Sequence, residues 1–353
     1  GSCPRARPAR QLQGAWMTVS SVNYYARYDG HEPEHLAIVL QELRKTRSSV
    51  IFLAGDSSLD NKFWFRETAK ATNGYERILS PPKMKQDVCY WLNQEAVLRC
   101  ADHLCCLNTA IEATSLNSRA FCTLLEQDQF IRDNITTEDY LVVSVGGNDI
   151  ALAPVLCTVL NLMLLSWCTP VACLEHCACA CPPNVPFDGG CATCGLPGCL
   201  TASLCGWPPG IGYFVDLFKN RVQNYVKRVI GKSKPKKVVI CMIYYLDEAQ
   251  TGGWADHALG CMCYDRWPHR LQYAIRTIFR LATQRIRIPG TEVVGFPLFQ
   301  VLDGKTSGDY CQRVEPSPQG GRKMASALMD AILGGEDPSS GSDGAPPQQQ
   351  VMT

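Results

Sequence analysis

Short apolar runs rich in β-branched or aromatic residues recur along the chain at 50–54, 104–107, 141–145, 238–242 and 292–295. Between them lie longer stretches with helical spacing, near 33–44, 118–132, 151–165, 214–230, 270–286 and 318–332. Strands that alternate with helices predict parallel βαβ construction, with the sheet sandwiched by helices. Ser317 before Pro318 marks a helix start, because a Ser side chain accepts from free amides and Pro suits the first turn. The expected class is therefore α/β, a three-layer αβα flavodoxin-like arrangement with a central, mainly parallel sheet.

Two stretches break this rhythm. The segment 167–209 is dense in Cys, Gly and Pro and reads as an insertion between two helices, covering one rim of the sheet. The tail 334–353 is rich in Gly, Ser, Pro and Gln, cannot recover its ordering entropy by burial, and is expected to be disordered. The expected organisation is an N-terminal extension with the first helix over 1–45, one domain over 46–333, and the tail. The apolar run 150–167 is short of the roughly 20 residues that span a bilayer and is read as a buried helix, so no transmembrane segment is expected.

Composition narrows the function classes. Apolar residues make up 46% and charged residues 19% of 353 residues, enough for a sizeable core. A formal net charge of +1 with no long basic run argues against nucleic acid as a partner. The segment 1–13 carries Arg5, Arg7 and Arg10 without an apolar signal core; it is compatible with the end of a transit peptide, and a cytoplasmic location is favoured. Nine of the 20 cysteines fall between Cys168 and Cys205. Such density means disulfides in an oxidising compartment and thiols or a metal site in a reducing one, and the sequence does not decide between them. Cys177, Cys179 and Cys181 with Cys191 and Cys194 are candidate thiolate ligands for Zn²⁺, with His176 as a substitute, although their spacing is not that of a paired knuckle. The main reading carries neither metal nor cofactor.

The strongest chemical signal is the run from Ile51 to Leu59, in which an apolar strand ends in Gly55-Asp56-Ser57-Ser58. A Ser at the C-terminal end of a parallel strand lies where open α/β sheets bind ligands, with helix amides nearby for developing negative charge. The plain alternative is a turn capped by Asp56 or Ser58. A second strand ends in Gly146-Gly147-Asn148-Asp149, where paired glycines permit close backbone approach and the Asn148 carboxamide is a donor for an oxyanion; its alternative is a capped turn. A third ends in Asn108-Thr109-Ala110.

In order and spacing these three blocks resemble the SGNH/GDSL hydrolases. The resemblance extends over roughly 50–333, the insertion excepted. It implies that Ser57 is the nucleophile, that the Ser57 and Ala110 amides and the Asn148 side chain form the oxyanion hole, and that Gly55, Asp56, Asn108, Gly146, Gly147 and Asp149 support them. The implied activity is ester hydrolysis through an acyl-Ser57 intermediate, on a small-molecule, lipid or carbohydrate ester. O-acyl transfer would use the same site.

The chain departs from the pattern at its fourth block. Where the family carries Asp-x-x-His-Pro, this sequence reads Gln312-Arg313-Val314-Glu315-Pro316, so Glu315 holds the histidine place. A solvated Glu, with a reference pKa of about 4.3, is a weak base at neutral pH, but burial raises that value. Glu315 is the candidate base, Asp309 is an acidic alternative, and His257 or His269 are imidazoles for folding to bring over the site. Glu315 also has an ordinary reading, as a helix-start carboxylate paired with Arg313 or Arg322. If no base is present, the expectation becomes a catalytically reduced domain that binds a ligand or partner. Trp64, Trp207, Tyr213, Tyr244 and Tyr245 are candidates for an acyl pocket or for core packing.

Overall fold

The computed structural model describes residues 16–120, 124–151, 156–184, 201–253, 256, 259–260 and 263–334. The N-terminal arginines, the tail and residues Cys191, Cys194 and His257 lie outside that set, so the expectations placed on them are not addressed.

Five strands form the central sheet: β1 (Ser49–Gly55), β2 (Leu104–Leu107), β3 (Tyr140–Ser144), β4 (Lys237–Met242) and β5 (Glu292–Pro297). Their order is β5-β4-β3-β1-β2, and every pairing is parallel. All seven residues of β1 are buried, as expected of a strand with helices over both faces. Its side chains divide by the two-residue period. Val50, Phe52 and Ala54 enter one core, with Val238 and Ile240 of β4, while Ile51 and Leu53 enter the other, with Val239 and Cys241.

Each core is closed by its own helices. On the first face lie α1 (Pro33–Arg44), the continuous helical stretch 211–230, and α8 (Pro268–Leu281). On the second lie α2 (Val88–Leu98) and α9 (Pro318–Leu333), which contribute Val88, Leu92, Met324, Leu328 and Met329. Numbering the intervening helices in chain order gives α3 (Leu116–Ala120), α4 (Glu126–Asn134), α5 (Gly147–Ala151), α6 (Leu156–Trp167) and α7 (211–230). The architecture is the three-layer αβα sandwich expected from the sequence.

Several details differ from expectation. The helix expected at 118–132 is divided into α3 and α4. The helix α2 was not anticipated; Asp87 caps it by accepting from the Tyr90 amide at 2.8 Å. The apolar run expected to be a buried helix is only half-buried: Leu162 and Leu165 face inward, whereas Val159, Leu160, Met163 and Leu164 are exposed. No helix among the described residues is long and apolar enough to cross a membrane.

The strand order fixes where a ligand would sit. From β1 the chain moves out to β2 on one side and returns to β3 on the other, so the direction reverses between β1 and β3. The crevice outside the carboxyl ends of two such strands is where open α/β sheets bind ligands.

Candidate active site

Ser57 sits immediately beyond β1, in a turn pinned from three sides. The Asp56 amide donates to the Ser144 carbonyl at 3.2 Å, the Ser58 amide donates to Asp56 Oδ1 at 3.0 Å, and the Ser58 and Ser144 hydroxyls share a hydrogen bond of 2.7 Å. The ends of β1 and β3 approach so closely at Gly55 that a Cβ there would lie 2.5 Å from the Ser144 carbonyl oxygen. Only glycine fits that contact. The Ser57 amide has no acceptor among the described residues and is free to donate to a ligand.

Gly146 takes φ +102°, a left-handed value that glycine adopts without strain, and this turns the chain from β3 into α5. Asn148 follows in the first turn of α5. One N–H of its carboxamide donates to the Thr114 carbonyl at 2.9 Å, which holds the group in place and leaves the second N–H for a ligand. Asp149 turns away from the crevice and accepts from the Leu116 and Asn117 amides, supporting the start of α3.

Glu315 arrives from the opposite rim. Tyr310–Cys311 (β6) and Glu315–Pro316 (β7) form a two-residue antiparallel pair that places Cys311 opposite Glu315. Of the three residues joining them, Gln312 and Arg313 take positive φ, 51° and 69°. This costly geometry is held by the Arg313 guanidinium, which is fully buried and pairs with Asp256 at 2.7 Å and Asp265 at 2.8 Å. Arg313 is thus engaged elsewhere and is not the partner of Glu315. Asn61 adds a further clamp by donating to the Pro316 carbonyl at 2.7 Å.

Ser57, Asn148 and Glu315 line one cleft. Its walls are largely apolar, with Ile150, Ile243, Tyr244, Leu246, Leu271 and Ile275 around the polar floor. Burial pushes the Glu315 carboxyl up to about 7; hydrogen bonding with the Ser57 hydroxyl draws it down, and the charges of Asp56 and Asp60 push it up further. Asp56, also buried, is raised to about 6. Glu315 Oε2 has no hydrogen-bond partner among the described residues.

Several expected site residues lie elsewhere. Ala110 does not face the cleft: it is fully buried, and its amide is spent on the Asn108 side-chain oxygen at 3.1 Å. The segment after β2 reaches the crevice through the Thr114 carbonyl that orients Asn148, not through the amide of its Asn-Thr-Ala block. Asn108 itself is in a buried network, donating to Asp60 and Asp87 at 3.0 Å each. Asp309 is committed to α9, accepting from Gln319 at 2.8 Å and Lys323 at 2.6 Å, and is not part of the cleft. No histidine among the described residues lines the cleft, and His269 is exposed. Of the aromatic candidates only Tyr244 is among the lining residues. Cys177 and Cys181 are exposed free thiols, and no described residue unites them into a metal site.

No family model matches the sequence, and no curated protein does. Solved structures are similar in outline. They include a GDSL-like lipase from Parabacteroides merdae, at 12% identity with a TM-score of 0.43, covering 81% of this chain and 96% of that one. An acetyl xylan esterase from Geobacillus stearothermophilus matches at 13% identity and 0.40, covering 82% and 96%. A phospholipase A1 from Streptomyces albidoflavus matches at 10% identity and 0.39, covering 81% and 99%. The likeness is one of outline, and what the chain itself has is a five-stranded parallel sheet in the order β5-β4-β3-β1-β2.

Proposed function

We propose that the protein is a serine ester hydrolase in which Ser57 is the nucleophile and Glu315 its general base. The supporting observation is the convergence of Ser57, Asn148 and Glu315 on one cleft at the reversal point of the sheet. In the proposed cycle Glu315, as carboxylate, takes the Ser57 proton while the serine oxygen attacks the ester carbonyl. The Ser57 amide and the free Asn148 N–H accept the developing oxyanion as hydrogen-bond donors already in place. The protonated Glu315 then gives its proton to the departing alcohol, and the acyl group remains on Ser57. Water enters, Glu315 removes its proton, and the second tetrahedral intermediate collapses to free acid and regenerated serine.

A base near pH 7 suits this cycle, because it is available as carboxylate and is still a competent acid when protonated. Unlike an imidazole it never becomes a cation, so all charge stabilisation falls to the amide donors. The apolar walls point to an ester with an uncharged acyl group.

The test uses p-nitrophenyl acetate and a fluorophosphonate probe on the wild type, Ser57→Ala and Glu315→Gln. The expected outcome is hydrolysis lost in both variants, with labelling lost fully in Ser57→Ala. Failure of the wild type to label would overturn the proposal in favour of a ligand-binding domain. Formation of a transfer ester when an alcohol is added would assign acyl transfer to the same serine.

A further inference from the structure

A second polar cluster, outside the cleft lining, is not used by the proposed hydrolysis. His31, Asp60 and Asp87 are all buried, and each offers a ligand atom within 4.8 Å of the other two. They come from three separate parts of the chain: the loop before α1, the turn three residues beyond Ser57, and the cap of α2.

The hydrogen bonds around His31 fix its tautomer. Nδ1 lies 2.6 Å from the Tyr24 carbonyl, which can only accept, so Nδ1 carries the proton. Nε2 is therefore a bare lone pair, fully buried and without a partner. A buried acceptor left this way is costly unless something fills it. An imidazole that donates its far N–H to a backbone carbonyl is also the arrangement that orients metal-binding histidines. Asn108 supplies the matching support on the other side, bridging Asp60 Oδ1 and Asp87 Oδ2 at 3.0 Å each.

We infer that His31 Nε2, Asp60 and Asp87 form a binding site for one divalent first-row transition ion, of the kind a mixed imidazole and carboxylate set selects. Ligands about 2.1 Å from a shared ion lie about 4.2 Å apart when opposite and about 3.4 Å apart when tetrahedral, so closing the site takes a contraction of about half an ångström to an ångström. Lys62 Nζ, 2.6 Å from Asp60 Oδ2, is the resident cation of the cluster and competes for the same carboxylate. A bound ion would tie the Ser57 turn to the loop before α1 and to the start of α2.

The experiment titrates the chelator-stripped full chain with Mn²⁺ alone and follows the six-line resonance of the free ion. Mn²⁺ is chosen because it favours oxygen and nitrogen ligands over the chain's many thiols. The expected result is about one ion withdrawn per chain, withdrawal lost in His31→Phe and Asp87→Asn, and withdrawal unchanged in Cys177→Ser. Lys62→Met removes the competing ammonium and is expected to bind at least about tenfold more tightly. Its melting temperature should also rise on adding Mn²⁺. The Lys62 variant decides the matter even if His31→Phe fails to fold. The inference is overturned by an undiminished free-ion signal in the wild type, by withdrawal that survives His31→Phe or fails in Cys177→Ser, or by a Lys62→Met protein that binds no better.

Discussion

Replacing Glu315 by Gln should make the protein more stable at alkaline pH while removing its activity. Folding lifts this carboxyl from 4.5 to about 7, chiefly by burial. Between those values the native state keeps a proton that the unfolded chain has released, so it binds more protons and loses stability as the pH rises. The loss is complete above pH 7 and amounts to about 3 kcal/mol, an order-of-magnitude figure. Gln has nearly the same shape and no charge, so it escapes that loss. Urea unfolding of wild type and Glu315→Gln, at pH 5 and at pH 8, measures it directly. The variant's advantage should grow by about 2–3 kcal/mol over that interval, while its esterase rate stays near background at both. A gap that does not change with pH would refute the reasoning, as would a variant less stable than the wild type at pH 8.

In the wild type, kcat/KM is expected to fall about tenfold per pH unit below about 7, as Glu315 takes up its proton; a flat profile from pH 5 to 8 would exclude it as the base. Asn148→Ala should lower kcat by about 10²–10³ with KM little changed, since the lost donor acts on the oxyanion. Gly55→Ala forces a Cβ against the Ser144 carbonyl and should cost about 1–3 kcal/mol in denaturant midpoint experiments, with activity falling as the two strand ends part. Asp309→Asn removes the pair with Lys323 and should lower the melting temperature while leaving kcat within about twofold, because a side chain outside the cleft supplies no interaction made only in the transition state.

The sheet was legible because its strands are apolar on both faces, and each stands out from the amphipathic helices around it. The start of α9 was legible from a local rule, Ser317 before Pro318, and the Ser317 hydroxyl does accept from the Gly320 amide. α2 was missed because its apolar positions are interleaved with Tyr90, Asn93 and Gln94; the readable signal was Asp87 as a cap ahead of Val88, Leu92 and Ala96. The helix expected at 118–132 divides in a stretch where Arg119 turns inward to a buried pair with Asp128 and Tyr225, a long-range arrangement that periodicity does not encode. The same limit applies at the cleft. Block order pointed to Ser57, Asn148 and Glu315 from three distant stretches, but it could not tell that Asn108 would turn back on the Ala110 amide. Nor could it tell that Asp309 would be drawn to Lys323, fourteen residues on along α9.

The twin left-handed residues before Glu315 have a practical consequence for anyone reshaping the molecule. Their geometry is secured from outside the hairpin, by two aspartates on the stretch that follows β4. Shortening or grafting that stretch to widen the cleft would leave the buried guanidinium without the carboxylates that neutralise it. Library designs for the rim should therefore hold Asp256 and Asp265 constant and randomise between them.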